Sequence, residues 1–130
     1  MPTLQLHISP AQDAARCQQL AHALTDITAQ VLGKRAEVTA VLIQALPTSH
    51  WYVGAQKALR PTALLEISIT AGSNSAQQKA DFVAAAFTEL QSQLGEGRGL
   101  EPASYVIVRE VAATDWGYGG RTQAGRRAGS

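Results

Sequence analysis

The chain is written twice, and that repetition limits its fold more than any other feature. Pro2-Thr3 is echoed by Pro61-Thr62, and each pair opens an alternating run. In the first run Leu4, Leu6 and Ile8 alternate with Gln5, His7 and Ser9. In the second, Leu65, Ile67 and Ile69 alternate with Glu66, Ser68 and Thr70. A period of two predicts strands with one apolar and one polar face. A helix is expected after each strand. Ser9-Pro10-Ala11-Gln12 and Ser75-Ala76-Gln77-Gln78 both fit a Ser-x-x-Gln capping box, with Pro10 suited to the first helical position. Cys17, Leu20, Leu24, Ile27 and Val31 supply the apolar stripe of the first helix; Val83, Phe87, Leu90 and Leu94 supply that of the second. Leu32-Gly33 and Leu94-Gly95 are expected to end them on left-handed glycines. Second strands follow at 38–46 and 104–111. Each leads into a short aromatic segment, His50-Trp51-Tyr52-Val53-Gly54 or Asp115-Trp116-Gly117-Tyr118-Gly119.

Two tandem β-α-β units predict an α/β chain (α+β by some schemes) with a four-stranded mixed sheet and both helices on one face. The units span 1–59 and 60–120, joined at 56–60, and 121–130 reads as a basic flexible tail. The opposite sheet face carries Gln5, His7, Glu66 and Ser68. It is too polar for a dry core and too large to leave unused, so it is expected to face other subunits in a closed ring, with the aromatic segments reaching across.

At 130 residues there is room for one domain. Eleven basic against ten acidic residues leave a net charge of +1, which gives no general attraction to nucleic acid or an anionic membrane. No apolar run approaches the roughly 18–20 residues of a membrane span. The opening Met1-Pro2-Thr3-Leu4 lacks the basic region and apolar core of a signal peptide, and the single Cys17 excludes an internal disulfide framework; both fit a cytoplasmic protein. His7, His22 and His50 are too dispersed for a metal set, and the glycines at 117–120 lack the strand-to-helix setting of a phosphate loop.

Pro2 behind the initiator methionine, a β-α-β unit of about sixty residues and the aromatic-glycine segment together resemble the tautomerase superfamily. The first half is similar to 4-oxalocrotonate tautomerase-like single units. Leu32-Gly33-Lys34 is similar to macrophage migration inhibitory factor, and the stretch 67–94 to carboxymethyl-hydroxymuconate isomerase. The resemblance implies a fused pair of units in a homotrimer. It also implies a cofactor-independent isomerase in which Pro2, freed by removal of Met1, acts as general base for keto–enol transfer on an enol or α-keto acid. An α-amino group has a pKa of about 7.7–8.0, and burial lowers it, so a neutral amine is available near neutral pH. Proline at position 2 also suits the simple start of a strand, but its setting in the repeat favours the catalytic reading. Pro61 matches it by position but is a tertiary amide, leaving one working site per chain.

The resemblance also supplies candidates around Pro2. Lys34 falls beside the family's proline pocket, although a cation at a helix C-terminus also complements the dipole. Tyr105 falls near a donor position of some fused members, or packs as an edge-strand tyrosine. Trp116 stands where dehalogenase-like members carry a water-activating carboxylate, and Thr28 where one has a histidine. Hydration is therefore disfavoured, and Trp116 reads as a pocket wall or an interface tryptophan. Arg121 follows Gly119-Gly120 on a loop able to reach a neighbour's pocket, though such arginines are mostly solvated. Arg109 is a weaker candidate. The family's substrate arginines are missing, since Gln12, Ala40, Ala71 and Tyr105 stand at their positions. That leaves open a Pro2-dependent decarboxylase or hydratase, and a non-catalytic ligand-binding trimer.

Overall fold

The computed structural model describes residues 2–129, so Met1, the start of the first unit, and Ser130, the end of the tail, lie outside the described residues. Strand β1 (Thr3–Ser9) leads into helix α1 (Ala14–Leu32) and returns through β2 (Ala40–Ala45). A hairpin of β3 (Tyr52–Val53) and β4 (Gln56–Lys57) closes the first copy. The second copy repeats the order with β5 (Thr62–Thr70), α2 (Ala76–Leu94), β6 (Tyr105–Val111) and a hairpin of β7 (Gly117–Tyr118) and β8 (Arg121–Thr122). A short helix α3 (Gln123–Gly129) follows.

The sheet order is β2-β1-β5-β6. Each unit contributes a parallel pair, and β1 and β5 meet antiparallel, so the sheet is mixed as expected. The duplication extends to single bonds. Pro2 O accepts from Ala40 N at 3.2 Å, and Pro61 O accepts from Glu101 N at 2.8 Å. Trp51 O accepts from Ala58 N at 3.0 Å, and Trp116 O from Gln123 N at 2.9 Å. The hairpin turns match as well, with positive φ at Gly54 and Ala55 and again at Gly119 and Gly120.

Both helices cover one face. Leu4, Leu6, Ile8, Ala63, Leu65, Ile67 and Ile69 of the central strands are buried against Leu20, Leu24, Phe82, Ala86, Leu90 and Leu94 of the helices. The buried rows differ from the expected stripes. On α1, Thr28 and Leu32 join Leu20 and Leu24, with Ile27 and Val31 at the margin. Thr28 is tolerated there because its hydroxyl donates to Leu24 O at 2.7 Å, so no buried donor is stranded. On α2, Phe82 and Ala86 take the places expected for Val83 and Phe87. The run Ala84-Ala85-Ala86 offers no contrast between faces, so spacing alone did not fix the rotation of that helix.

Three local expectations are corrected. The box at 9–12 does not form: Asp13 caps α1, its carboxylate accepting from Arg16 N at 2.8 Å. An anionic acceptor is the stronger partner for a helix N-terminus, and Ser9 is instead built into β1 opposite Thr62. The box on Ser75 and Gln78 is complete. Gly33 takes the left-handed cap, but Gly95 does not; it stays right-handed, and the positive φ passes to Glu96 and Gly97. Glycine is needed at 95 for space, since a Cβ would lie 2.6 Å from Gln91 O and 3.2 Å from Gly99 Cα. Finally, the segment read as a flexible tail folds as β8 and α3 through Gly129.

The second sheet face is polar at its centre, with Thr3, Gln5, His7, Glu66 and Ser68, and Arg109 pairs there with Glu66 at 3.2 Å. Its two edge strands expose apolar groups, with Leu42 56% and Tyr105 64% accessible. Among the described residues, no helix is long and apolar enough to cross a membrane.

Candidate functional site

The two ends of the sheet are chemically different. Pro2 is buried at the head of β1, one residue before the pair Thr3↔Ser68. Parallel crossover geometry returns the C-terminus of α1 to this same end, and β6 finishes here opposite Thr70. Lys34, Arg35, the tip of β5, Tyr118 and α3 therefore gather at the Pro2 end. They form a cleft of ≈ 310 Å³ lined by Lys34, Arg35, Thr70, Ser73, Tyr118, Gln123, Arg126 and Arg127.

Three of the four cations in this cleft are held by neighbouring groups. Lys34 Nζ donates to Ser73 Oγ at 2.8 Å, and the Ser73 hydroxyl donates to Thr70 O at 2.6 Å. Burial holds the Lys34 ammonium below the ordinary lysine pKa. Arg35 pairs with Glu37 at 2.8 Å, which raises the guanidinium pKa through that hydrogen bond and lowers the carboxylate's. For Glu37 the bond to its own backbone N–H is the larger cause. Arg126 lies with its Cζ 3.6 Å from the centre of the Tyr118 ring and donates through Nη2 to Tyr118 O at 2.8 Å.

The other candidates lie elsewhere in the chain. Tyr105 starts β6 opposite Leu64, which in turn faces His7. Four residues stand between Pro2 and His7, so the two are five strand steps apart, about 17 Å along the sheet. Tyr105 lines the opposite cleft of ≈ 620 Å³ with His7, His50, Trp51, Tyr52 and Leu64. Trp116 and Arg121 line a third cleft of ≈ 270 Å³ that shares no residue with the Pro2-end cleft. Arg121 is exposed and donates to Gly125 O at 3.1 Å, tying β8 to α3. The Trp116 indole N–H is buried without an acceptor among the described residues. Thus Lys34 lines the cleft at the Pro2 end and Tyr105 lies at the other end of the sheet, while Trp116 and Arg121 line a neighbouring cleft beside Gln123 and Tyr118.

Tyr118, Gln123, Arg126 and Arg127 were missed as site residues because 121–130 has no apolar periodicity to mark a helix. The available signal was Gly119-Gly120 after Tyr118, a tight turn that sends the following residues back toward the sheet. Among the described residues no group of His, Cys, Asp and Glu is placed to hold a metal ion.

No protein-family model and no curated protein matches the sequence. Solved structures do. The chain superposes on a Q0 fused 4-OT, a wild-type symmetric trimer, with TM-score 0.81 and 23% identity, covering 98% of this chain and 99% of that one. A native fused 4-OT gives TM-score 0.79 at 26% identity, again covering 98% and 99%. A macrophage migration inhibitory factor of Toxoplasma gondii gives 0.73 at 16%, covering 92% of this chain and 98% of that one. The chain has the fold of the tautomerase superfamily, in its fused two-unit form.

Proposed function

We propose that the protein is a cofactor-independent tautomerase whose base is the Pro2 amine, freed by removal of Met1 and acting on an enol or α-keto acid. The observation that carries this reading is the placement of Pro2 at the cationic end of the sheet, level with the Lys34 cleft. Cations at the same end of the sheet disfavour a further positive charge there and so favour the neutral amine that a general base requires. The same cations oppose the negative charge that grows on oxygen as a carbon-bound proton is removed. The Pro2 nitrogen takes that proton and returns it at the other end of the enol system, with no net redox change. Pro61, inside the chain, has no basic nitrogen and only starts β5.

A homotrimer completes the arrangement. The fused 4-OT structures are trimers, and this chain has a polar sheet face with apolar edges suited to symmetric association. Because Tyr105 is about 17 Å of strand away from Pro2 in its own chain, it serves as a donor for the Pro2 of a neighbouring copy. Trp116 and Arg121 act across the same boundary. A monomer in light scattering at micromolar concentration would refute the assembly.

The reaction is tested by keto–enol conversion of phenylpyruvate with the processed protein, with Pro2→Ala, and with protein retaining Met1. Loss of activity in both altered forms is expected. Equal rates in all three would overturn the proline mechanism. An Arg98→Gln control, altered on the loop after α2, is expected to keep full activity.

A further inference from the structure

We propose that Arg126 and Arg127, delivered by α3, hold the carboxylate of a small organic acid in the Pro2-end cleft, with Lys34 as a supporting donor. This rests on reading that end as the reaction site. Four cations line the cleft. Of these, only Arg35 has a carboxylate within ion-pair distance among the described residues. Lys34 is bound to a neutral hydroxyl and Arg126 to a carbonyl, so neither charge is compensated by an opposite one. Uncompensated cations gathered around a concave surface are an electrostatic invitation to an anion.

Gln123 is only 8% exposed, and its Nε2, like Arg126 Nε, is buried without an acceptor. Those two atoms are closed off from the open cleft, so the lining side chains left to meet a carboxylate are the remaining N–H groups of Arg126 with those of Arg127 and Lys34. Arg126 is also preorganised. Its guanidinium is stacked on Tyr118 and tied to the Tyr118 carbonyl, which removes much of the side-chain freedom that binding would otherwise cost. Gly119 keeps this position open, since a Cβ there would stand 2.6 Å from Arg126 Nη2. A planar fork suits a planar carboxylate, and the cleft is of small-molecule size.

The test is calorimetric binding of phenylpyruvate, its methyl ester and inorganic phosphate. It uses the wild type, Pro2→Ala, Arg126→Gln, Arg126→Lys and the double variant Arg126→Gln/Arg127→Gln. Losing a charged hydrogen-bonding partner is expected to weaken phenylpyruvate roughly ten- to a hundredfold for Arg126→Gln. Further weakening is expected in the double variant, with partial recovery in Arg126→Lys. The uncharged ester is expected to bind all variants alike, which separates a lost charge from a lost fold. Pro2→Ala is expected to bind phenylpyruvate within about threefold of wild type. Equal affinity of wild type and the double variant, or no phenylpyruvate binding at millimolar concentration, would overturn the proposal. So would a phosphate affinity above that for phenylpyruvate, because the group recognised would not be a carboxylate. Arginine-dependent binding without turnover would remove the tautomerase reading and leave this one standing. Pro2-dependent turnover with arginine-independent binding would do the reverse.

Discussion

Replacing Gly117 by alanine tests how far the C-terminal hairpin is a separate unit from the sheet. The added Cβ would lie 1.8 Å from Arg121 O, 2.6 Å from Arg121 C and 2.6 Å from Thr122 Cα. All three are backbone atoms, so no rotamer change relieves the clash, and β7 and β8 must separate. The pairs Gly117↔Thr122 and Tyr118↔Arg121 would be lost, with the bond from Gln123 N to Trp116 O. At about 1 kcal/mol for each of two to four hydrogen bonds, the local opening free energy falls by roughly 2–4 kcal/mol. The core contains no residue of this hairpin. Amide exchange at Tyr118 and Gln123 should therefore accelerate by roughly thirty- to a thousandfold, while Leu65 and Ile67 keep their protection. The equivalent place in the first copy holds Tyr52, which tolerates a large exposed side chain, so Tyr52→Ala is the matched control. Unchanged protection at Gln123 in Gly117→Ala would refute the steric reasoning. Loss of protection at Leu65 as well would refute the independence of the hairpin.

Other consequences are simpler to measure. Phe82→Ala removes the bulkiest side chain of the fully buried set and should cost about 3–5 kcal/mol in urea denaturation. Asp13→Ala should lower stability by about 1 kcal/mol through loss of the cap on α1. Ser9→Ala should be neutral or slightly stabilising, because the Ser9 hydroxyl is buried without a partner; a larger loss from Ser9 would restore the capping box the sequence implied. Glu110 accepts from Lys79 and from Gly72 N, and these bonds, the lysine's first, hold its carboxyl below the usual range. A depressed folded-state pKa contributes stability above the ordinary carboxylate pKa and loses it as pH falls through the lowered value. The gap between wild type and Glu110→Gln should therefore be present at neutral pH and close in acid; a gap that widens on acidification would contradict the assignment.

The fold was legible because two copies checked each other. Alternation in 4–8 and 65–69 fixed which strand face is buried, and the matching Pro, Gly and Trp positions fixed the order of elements. Helix rotation was less legible, because alanines around Phe82 and the buried threonine on α1 blur the apolar stripe. Lys34 could be placed at the Pro2 end, since β-α-β geometry returns a helix to the head of its strand. Tyr105 could not be placed from spacing alone: its distance from Pro2 depends on the antiparallel junction of β1 and β5, which neither copy encodes by itself. Arg126 was illegible for a different reason. Its proposed role rests on a guanidinium stacked on one ring at the end of a tight turn, and a pair of arginines near a chain end carries no pattern that separates this from a solvated tail.

The matched hairpins have an unequal fate. After the first, the chain goes on within a few residues to Pro61 and β5 of the sheet. After the second, the described residues 123–129 form α3 and add no strand to the four-stranded sheet. Fusing two copies thus releases one outlet from architectural duty while its twin remains bound to it. On the proposed reading, sequence drift in 123–129 can alter what the Pro2 end accepts without disturbing any pair of the four-stranded sheet. Exchanging that segment is a route to new ligand preference on an unchanged scaffold.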